Sequence, residues 1–340
     1  MSMLHIDNRY FYSFLSTKEK QLFEIVFNGV NQRKTRFKFR MVDVNVDKVI
    51  EALSYDCPEL YNIKSWGMTY TESEIWFSDS NPFIYSLKEE TEIKKRLDDI
   101  VFSFPEGQDD FSKELSVHNY IVKTCTFDQE YKNRAKNSKL DYENHSIVGP
   151  LVRGVGVCSG FAKATQYLLM RLGIPVIYCT GRITDALESE GHAWTIVNIQ
   201  SQYYHLDVSH DVCLSEDLTV PRYSYFNVTD LDIKKDHIID SNKYKKISCV
   251  SNLLNYYQKF NRYYTNRTQI RNSVLTFIQG AYALDTSRRI DFRVSSSISE
   301  ADVHTIMLDI MNSTERVQGF TFSGGALNTF SVSFDLTPIL

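Results

Sequence analysis

The six cysteines include no Cys-x-x-Cys pair, and no apolar run reaches the roughly 18 residues that a membrane-spanning helix needs. Cys57, Cys125, Cys158, Cys179, Cys213 and Cys249 are scattered, which excludes a zinc ribbon or a disulfide scaffold. A basic excess is also missing: the formal net charge is −4, so nothing marks a nucleic-acid partner. The first residues carry no basic stretch leading into an apolar segment, so the chain reads as cytoplasmic with its thiols reduced. Glycine (14) and proline (7) are too sparse among 340 residues for a collagen-like or low-complexity chain. Rings are plentiful instead, with 21 Tyr, 21 Phe and 3 Trp, enough for a sizeable core spread over two or three domains.

Periodicity and punctuation divide the chain into an N-terminal α+β module (1–115), a central core (116–250) and a C-terminal α+β module (251–340). In the first, Ser16 or Thr17 with Glu19 predicts a helix start, Thr35 to Met41 a strand, and Asn45 a cap for a helix from Val46. Residues 87–102 and 110–125 read as helices. In the centre, Gly149-Pro150 and Gly154-Val155-Gly156 break the chain just before Cys158, and an amphipathic helix follows to Leu172, with Gly173 placed to end it. Ile174–Thr180, Ala193–Ile199 and Tyr203–Val208 read as strands. Residues 252–264 read as an aromatic-rich helix. A β-α-β-β pattern closes the chain.

Cys158 therefore stands where a glycine-rich loop enters a helix. The positive end of a helix favours a thiolate near neutral pH, and its free N–H groups suit an oxyanion. His192 opens one strand and Asp207 lies in the next. A turn centred between Ile199 and Gln200 sets His192 directly opposite Asp207, their Cβ atoms about 4.5–5.5 Å apart, and Trp194 opposite His205. Nucleophile, base and orienter are then all present. Asp211 is the alternative orienter. A metal site built from Cys158, His192, His205 and Asp207 matches no common zinc spacing.

The blocks Gly156-Val157-Cys158-Ser159-Gly160-Phe161-Ala162, Leu172-Gly173-Ile174-Pro175, Gly191-His192-Ala193-Trp194 and Tyr204-His205-Leu206-Asp207-Val208-Ser209 resemble the core of the transglutaminase-like superfamily. The likeness extends outward to His118–Val122 with Phe127-Asp128, to 145–151, and to Tyr225–Asp230 with His237, covering roughly 116–240. It implies an α+β, papain-like core in which a helix bearing Cys158 packs on an antiparallel sheet bearing His192 and Asp207. It also implies a Cys-His-Asp triad acting on a protein or peptide amide without a cofactor or metal. Ser159, Thr195 and Ser209-His210-Asp211 stand where relatives often carry Gln or Arg, Asn, and Thr-Trp-Asp. The reading is a cysteine peptidase or amidase. The alternatives are a protein-glutamine transglutaminase or deamidase, and an inactive scaffold. Gly156, Ser159 and Trp194 are the expected substrate contacts.

Overall fold

A computed structural model describes residues 9–40, 42–133, 135–184, 190–215, 221–244, 246–282 and 285–338. The chain forms two compact units, one of Met1–Pro221 with Thr229–Val250 and one of Arg222–Val228 with Ser251–Leu340.

In the first unit, α1 (Thr17–Asn31) starts at a capping box in which the Ser16 hydroxyl takes the Glu19 N–H and the Glu19 carboxylate takes the Ser16 N–H. A short strand β1 (Arg36–Lys38) and helix α2 (Val46–Asp56) follow, and the Asn45 side chain caps α2 through the Lys48 N–H. Strands β2 (Met68–Tyr70) and β3 (Glu74–Phe77) complete a small sheet with β1, β3 in the middle. Helices α3 (Leu87–Phe102) and α4 (Asp110–Thr124) lie within a residue of their expected bounds. The short pair β4 (Thr126–Phe127) and β5 (Val155–Gly156), with α5 (Lys139–Asn144) between, leads to α6 (Cys158–Arg171). The end of α6 is a Schellman closure: the Gly173 N–H bonds the Met170 carbonyl, the Ile174 N–H bonds that of Leu169, and Gly173 has φ +85°.

An antiparallel sheet of order β8-β7-β6-β9 receives this helix, built from β6 (Val176–Ile183), β7 (Glu190–Ile199), β8 (Gln202–Leu206) and β9 (His237–Ile239). Ala162 of α6 packs on Tyr178 and Ala193 on one face of that sheet. Trp194, Ile196 and His192 point to the other by the two-residue period of a strand. After β8 the chain turns into α7 (Val208–Leu214), and later into the short α8 (Asp230–Ile233).

Two expectations in this region change. The hairpin turn is Gln200-Ser201, not centred on the Ile199–Gln200 bond. Ile199 pairs with Gln202 and Ile196 with His205, so the register moves by two residues and Trp194 is not opposite His205. Both turn residues take positive φ, 53° and 61°, the type I′ geometry that matches strand twist. Because the shift is even, no side chain changes face. Asp207 also leaves the ladder: it is the N-cap of α7, its side chain taking the His210 N–H.

In the second unit, residues 252–264 form only a single turn, α9 (Tyr256–Lys259), followed by β10 (Tyr263–Tyr264) rather than one helix. The rings there pack on each other, Tyr256 against Tyr223 at 3.6 Å, instead of lining a helical stripe. An unanticipated helix α10 (Arg267–Gln279) comes next, capped by Asn266. Then β11 (Ser287–Val294), α11 (Glu300–Ser313), β12 (Val317–Gly325) and β13 (Thr329–Leu336) give a four-stranded sheet of order β10-β11-β13-β12. Helices α10 and α11 supply Ile270, Val274, Ile278, Val303, Met307 and Ile310 to its core, against Phe292, Val332 and Phe334.

Candidate active site

Cys158 is the first residue of α6, half-buried, with the backbone N–H groups of Ala193 and Ser159 on the side that favours its charged form. Gly160 permits this approach: a Cβ there would lie 2.1 Å from the Asn144 carbonyl oxygen, so the helix start could not abut that strand of chain. The thiol is not lowered as the helix terminus alone suggested. Burial pushes it up to about 11, the Ala193 N–H works against that, and the Asp207 charge adds to it. The resting sulfur is therefore protonated near neutral pH.

His192 lies in β7 next to Ala193. Its Nε2 stands 2.6 Å from Asp207 Oδ2, which leaves Nδ1 as the uncommitted ring nitrogen. Burial drives the imidazole below its ordinary value, and the opposing pull of Asp207 does not restore it. The His192 ring is thus neutral at pH 7. Burial alone would raise Asp207, but the charges and hydrogen bonds of His192 and His210 hold it well below the carboxylate range.

Asp207 has further partners that the sequence reading did not assign. His210 Nδ1 lies 2.8 Å and His237 Nε2 3.2 Å from the same Oδ2, while Oδ1 takes the Ser209 hydroxyl at 2.7 Å and the His210 N–H at 3.2 Å. His237 Nδ1 donates to Asp236 Oδ1 at 2.5 Å. Burial lowers His237, but Asp207 and Asp236 together take it up to about 9. His210 is raised as well, with Asp207 overcoming burial. The signal for His210 was its position three residues after Asp207, one turn into a helix that Asp207 caps. His237 was marked only by the resemblance of its segment, with no spacing that ties it to Asp207, because the edge strand β9 delivers it across β6.

Trp194 and Gly156, expected at the substrate, are placed otherwise. Trp194 is 1% exposed, stacks behind His192 with centroids 5.8 Å apart, and donates its indole N–H to His205 Nδ1 at 3.0 Å. It packs behind the His192 ring and has no free surface for a ligand. Gly156 is buried under the Pro150 ring, where a Cβ would sit 2.7 Å from it, so its role is packing. Ser159 is half-buried and bonds His145 Nδ1 at 2.7 Å. The alternative orienter Asp211 is engaged elsewhere, 3.0 Å from His118 Nε2 on α4, both side chains fully buried. Cys57, Cys125, Cys179 and Cys249 are buried thiols and Cys213 is exposed.

Residues 101–208 match the family model of the transglutaminase-like superfamily. Among solved structures the chain is similar to a putative cysteine protease from Cytophaga hutchinsonii, with 19% identity, TM-score 0.27, and coverage of 38% of this chain and 43% of that one. It is also similar to a TGase, with 15% identity, TM-score 0.28, and coverage of 51% and 50%. The chain thus spans about half the length of these two structures or less. No curated protein sequence matches it. No described helix is long and apolar enough to cross a membrane. The α+β arrangement, a helix beginning at Cys158 on an antiparallel sheet that carries His192, agrees with the matched stretch: residues 101–208 are a transglutaminase-like superfamily domain.

Proposed function

We infer that this core, residues 116–250, carries out thiol-dependent acyl transfer on the amide of a protein or peptide, with hydrolysis as the outcome. Cys158 is the nucleophile, His192 the general base and then acid, and Asp207 the orienter. The observation that carries this reading is the 2.6 Å contact of His192 Nε2 with Asp207 Oδ2. It fixes the tautomer with Nδ1 as the proton acceptor, the nitrogen this reading assigns to the Cys158 thiol.

The electrostatics select the order of events. A thiol near 11 and an imidazole below its ordinary value rest as a neutral pair, not a thiolate–imidazolium pair. The proton moves from sulfur to Nδ1 as the sulfur attacks the carbonyl carbon. The N–H groups that open α6 at Cys158 are the donors this reading assigns to the developing oxyanion. The imidazolium then protonates the leaving amine, and water, deprotonated by the same nitrogen, releases the acid. An amine in place of water gives transamidation by the same steps. A glutamine side chain in place of a peptide bond gives deamidation.

A blocked glutaminyl peptide and a fluorogenic peptide pool, each with and without hydroxylamine, separate these outcomes. Hydrolysis predicts free acid or cleaved peptide, and hydroxamate formation only when the nucleophile is added. Cys158→Ala is expected to lower turnover by at least about 10³-fold. Turnover that survives Cys158→Ala and His192→Ala would overturn the thiol mechanism and leave a binding role.

A further inference from the structure

The Asp207 oxygens hold more donors than they can accept. A carboxylate oxygen offers about two lone-pair sites. Oδ2 faces three imidazole nitrogens at 2.6, 2.8 and 3.2 Å, from His192, His210 and His237, while Oδ1 already takes two donors. Three N–H groups aimed at one oxygen crowd their hydrogens together. One cation in the space between the four atoms removes the conflict, because each imidazole then presents a lone pair.

The arrangement comes near that of a tetrahedral ion, which would require Asp207 Oδ2, now 2.6, 2.8 and 3.2 Å from the three nitrogens, to draw back by up to about 0.8 Å. Arms of 2.0–2.1 Å imply donor atoms separated by about 3.3–3.4 Å and imidazole centroids about 5 Å apart. The four donor atoms lie within 4.8 Å of one another, and the centroid separations are 4.9 Å (His192–His210), 5.2 Å (His192–His237) and 4.9 Å (His210–His237). Asp236, bonded to His237 Nδ1, occupies the outer-shell carboxylate position that orients a metal-bound histidine. Access is through His210, which retains 21% of its side-chain exposure, whereas His237 is fully buried.

A second group, His205, Asp230 and Cys249, also brings three donor atoms together, but it fails on protons. The Trp194 N–H occupies His205 Nδ1, so Nε2 must keep its hydrogen, which it gives to Asp230 at 3.0 Å. That nitrogen has no lone pair for an ion.

We propose that His192, His210, His237 and Asp207 form a zinc-class divalent-cation site that locks the triad. All four positions come from protein, so the ion has no open place for substrate or water and is not a Lewis-acid catalyst. It engages Nε2 of the base and the carboxylate of the orienter, and His192 can no longer cycle a proton for Cys158. The lock rests on the thiol reading above; the site does not.

The test uses the full chain, stripped with a chelator. Zinc chloride is titrated against a chromogenic zinc chelator, and cobalt(II) chloride is followed by absorbance. One equivalent of Zn²⁺ is expected, with the visible bands of tetrahedral Co²⁺ and no thiolate charge-transfer band. Cys158→Ala should bind equally well, and His210→Ala at least about 100-fold more weakly. Equal affinity in the wild type and His210→Ala, or octahedral Co²⁺ spectra in the wild type, would overturn the site. If His210→Ala fails to fold, the wild-type cobalt spectrum and the Cys158→Ala titration decide. Where the wild type shows amide turnover that Cys158→Ala lacks, saturating Zn²⁺ should abolish it and chelation restore it; turnover indifferent to bound Zn²⁺ overturns the lock. Tight N₃O binding in a chain without thiol-dependent turnover leaves the site standing and removes the thiol mechanism instead.

Discussion

Asp207 and Asp211 lie four residues apart at the start of α7. Both are fully buried and both meet an imidazole, yet they are opposite kinds of site. Asp211 meets His118 Nε2 at 3.0 Å, and neither side chain has any exposure. That pair ties α4 to α7 and is sealed. Asp207 meets three imidazoles, two of them at 2.6 and 2.8 Å, and one of the three reaches the surface. The contrast teaches that burial beside a histidine does not identify a working carboxylate.

The largest effect should come from breaking the sealed pair. Asp211→Ala leaves His118 buried without its carboxylate, and leaving a buried polar group without such a partner costs about 1–3 kcal/mol. Urea denaturation of the chelator-treated protein should show that loss. Asp207→Ala should cost less stability, because His237 keeps Asp236 and the crowded donors are relieved, while thiol-dependent turnover falls by roughly 10⁴-fold. A larger stability loss for Asp207→Ala than for Asp211→Ala would break the comparison.

A third buried carboxylate sharpens it. Asp56 at the end of α2 takes the Tyr12 N–H at 2.7 Å and lies near the Arg9 guanidinium. Burial nonetheless pushes its pKa from 3.8 up to about 7. The folded value is above the unfolded one, so protonation stabilises the fold: this contribution is complete below pH 3.8 and is lost as pH rises through about 7. Asp207 behaves oppositely, held low by its imidazoles. The denaturation midpoint should therefore fall in the wild type relative to Asp56→Asn as pH is raised from 4 to 8. Parallel curves for the two proteins would show that Asp56 does not titrate in this range.

Much of the central region was legible because its signals are local. A glycine-rich break, Cys158 and Gly173 bracket α6, and Ser16 with Glu19 and Asn45 with its Lys48 partner announce their helices one turn ahead. The long-range features were not legible. Gln200-Ser201 forms a left-handed turn without the Asn-Gly pair that advertises one, so the hairpin was centred one residue early. The even shift preserved the faces of β7 and β8, while the contact of Asp207 with His192 comes from its place as the N-cap of α7. His237 arrives on an edge strand from 45 residues beyond His192 in the chain, with no spacing rule to point at it. The Cys158 thiol was read from its helix terminus, but the packing that buries it outweighs that field. In residues 252–264 ring-on-ring packing replaced the expected helical stripe.

The smallest effect lies in that turn. Gln200 at φ 53° and Ser201 at φ 61° each occupy a region that costs an L-residue about 1–2 kcal/mol, less for Asn and almost nothing for Gly. Gln200→Asn combined with Ser201→Gly should raise stability by about 1 kcal/mol in urea denaturation. Ile199 and Gln202 already pair across the loop, so the substitutions relieve strain without moving the register. Zinc affinity and turnover should stay at wild-type values, because Asp207 is placed by its own capping of α7 and not by the turn. A change in either, with stability raised, would mean that turn strain is transmitted along β8 to Asp207, and that the two ends of the strand are coupled rather than independent.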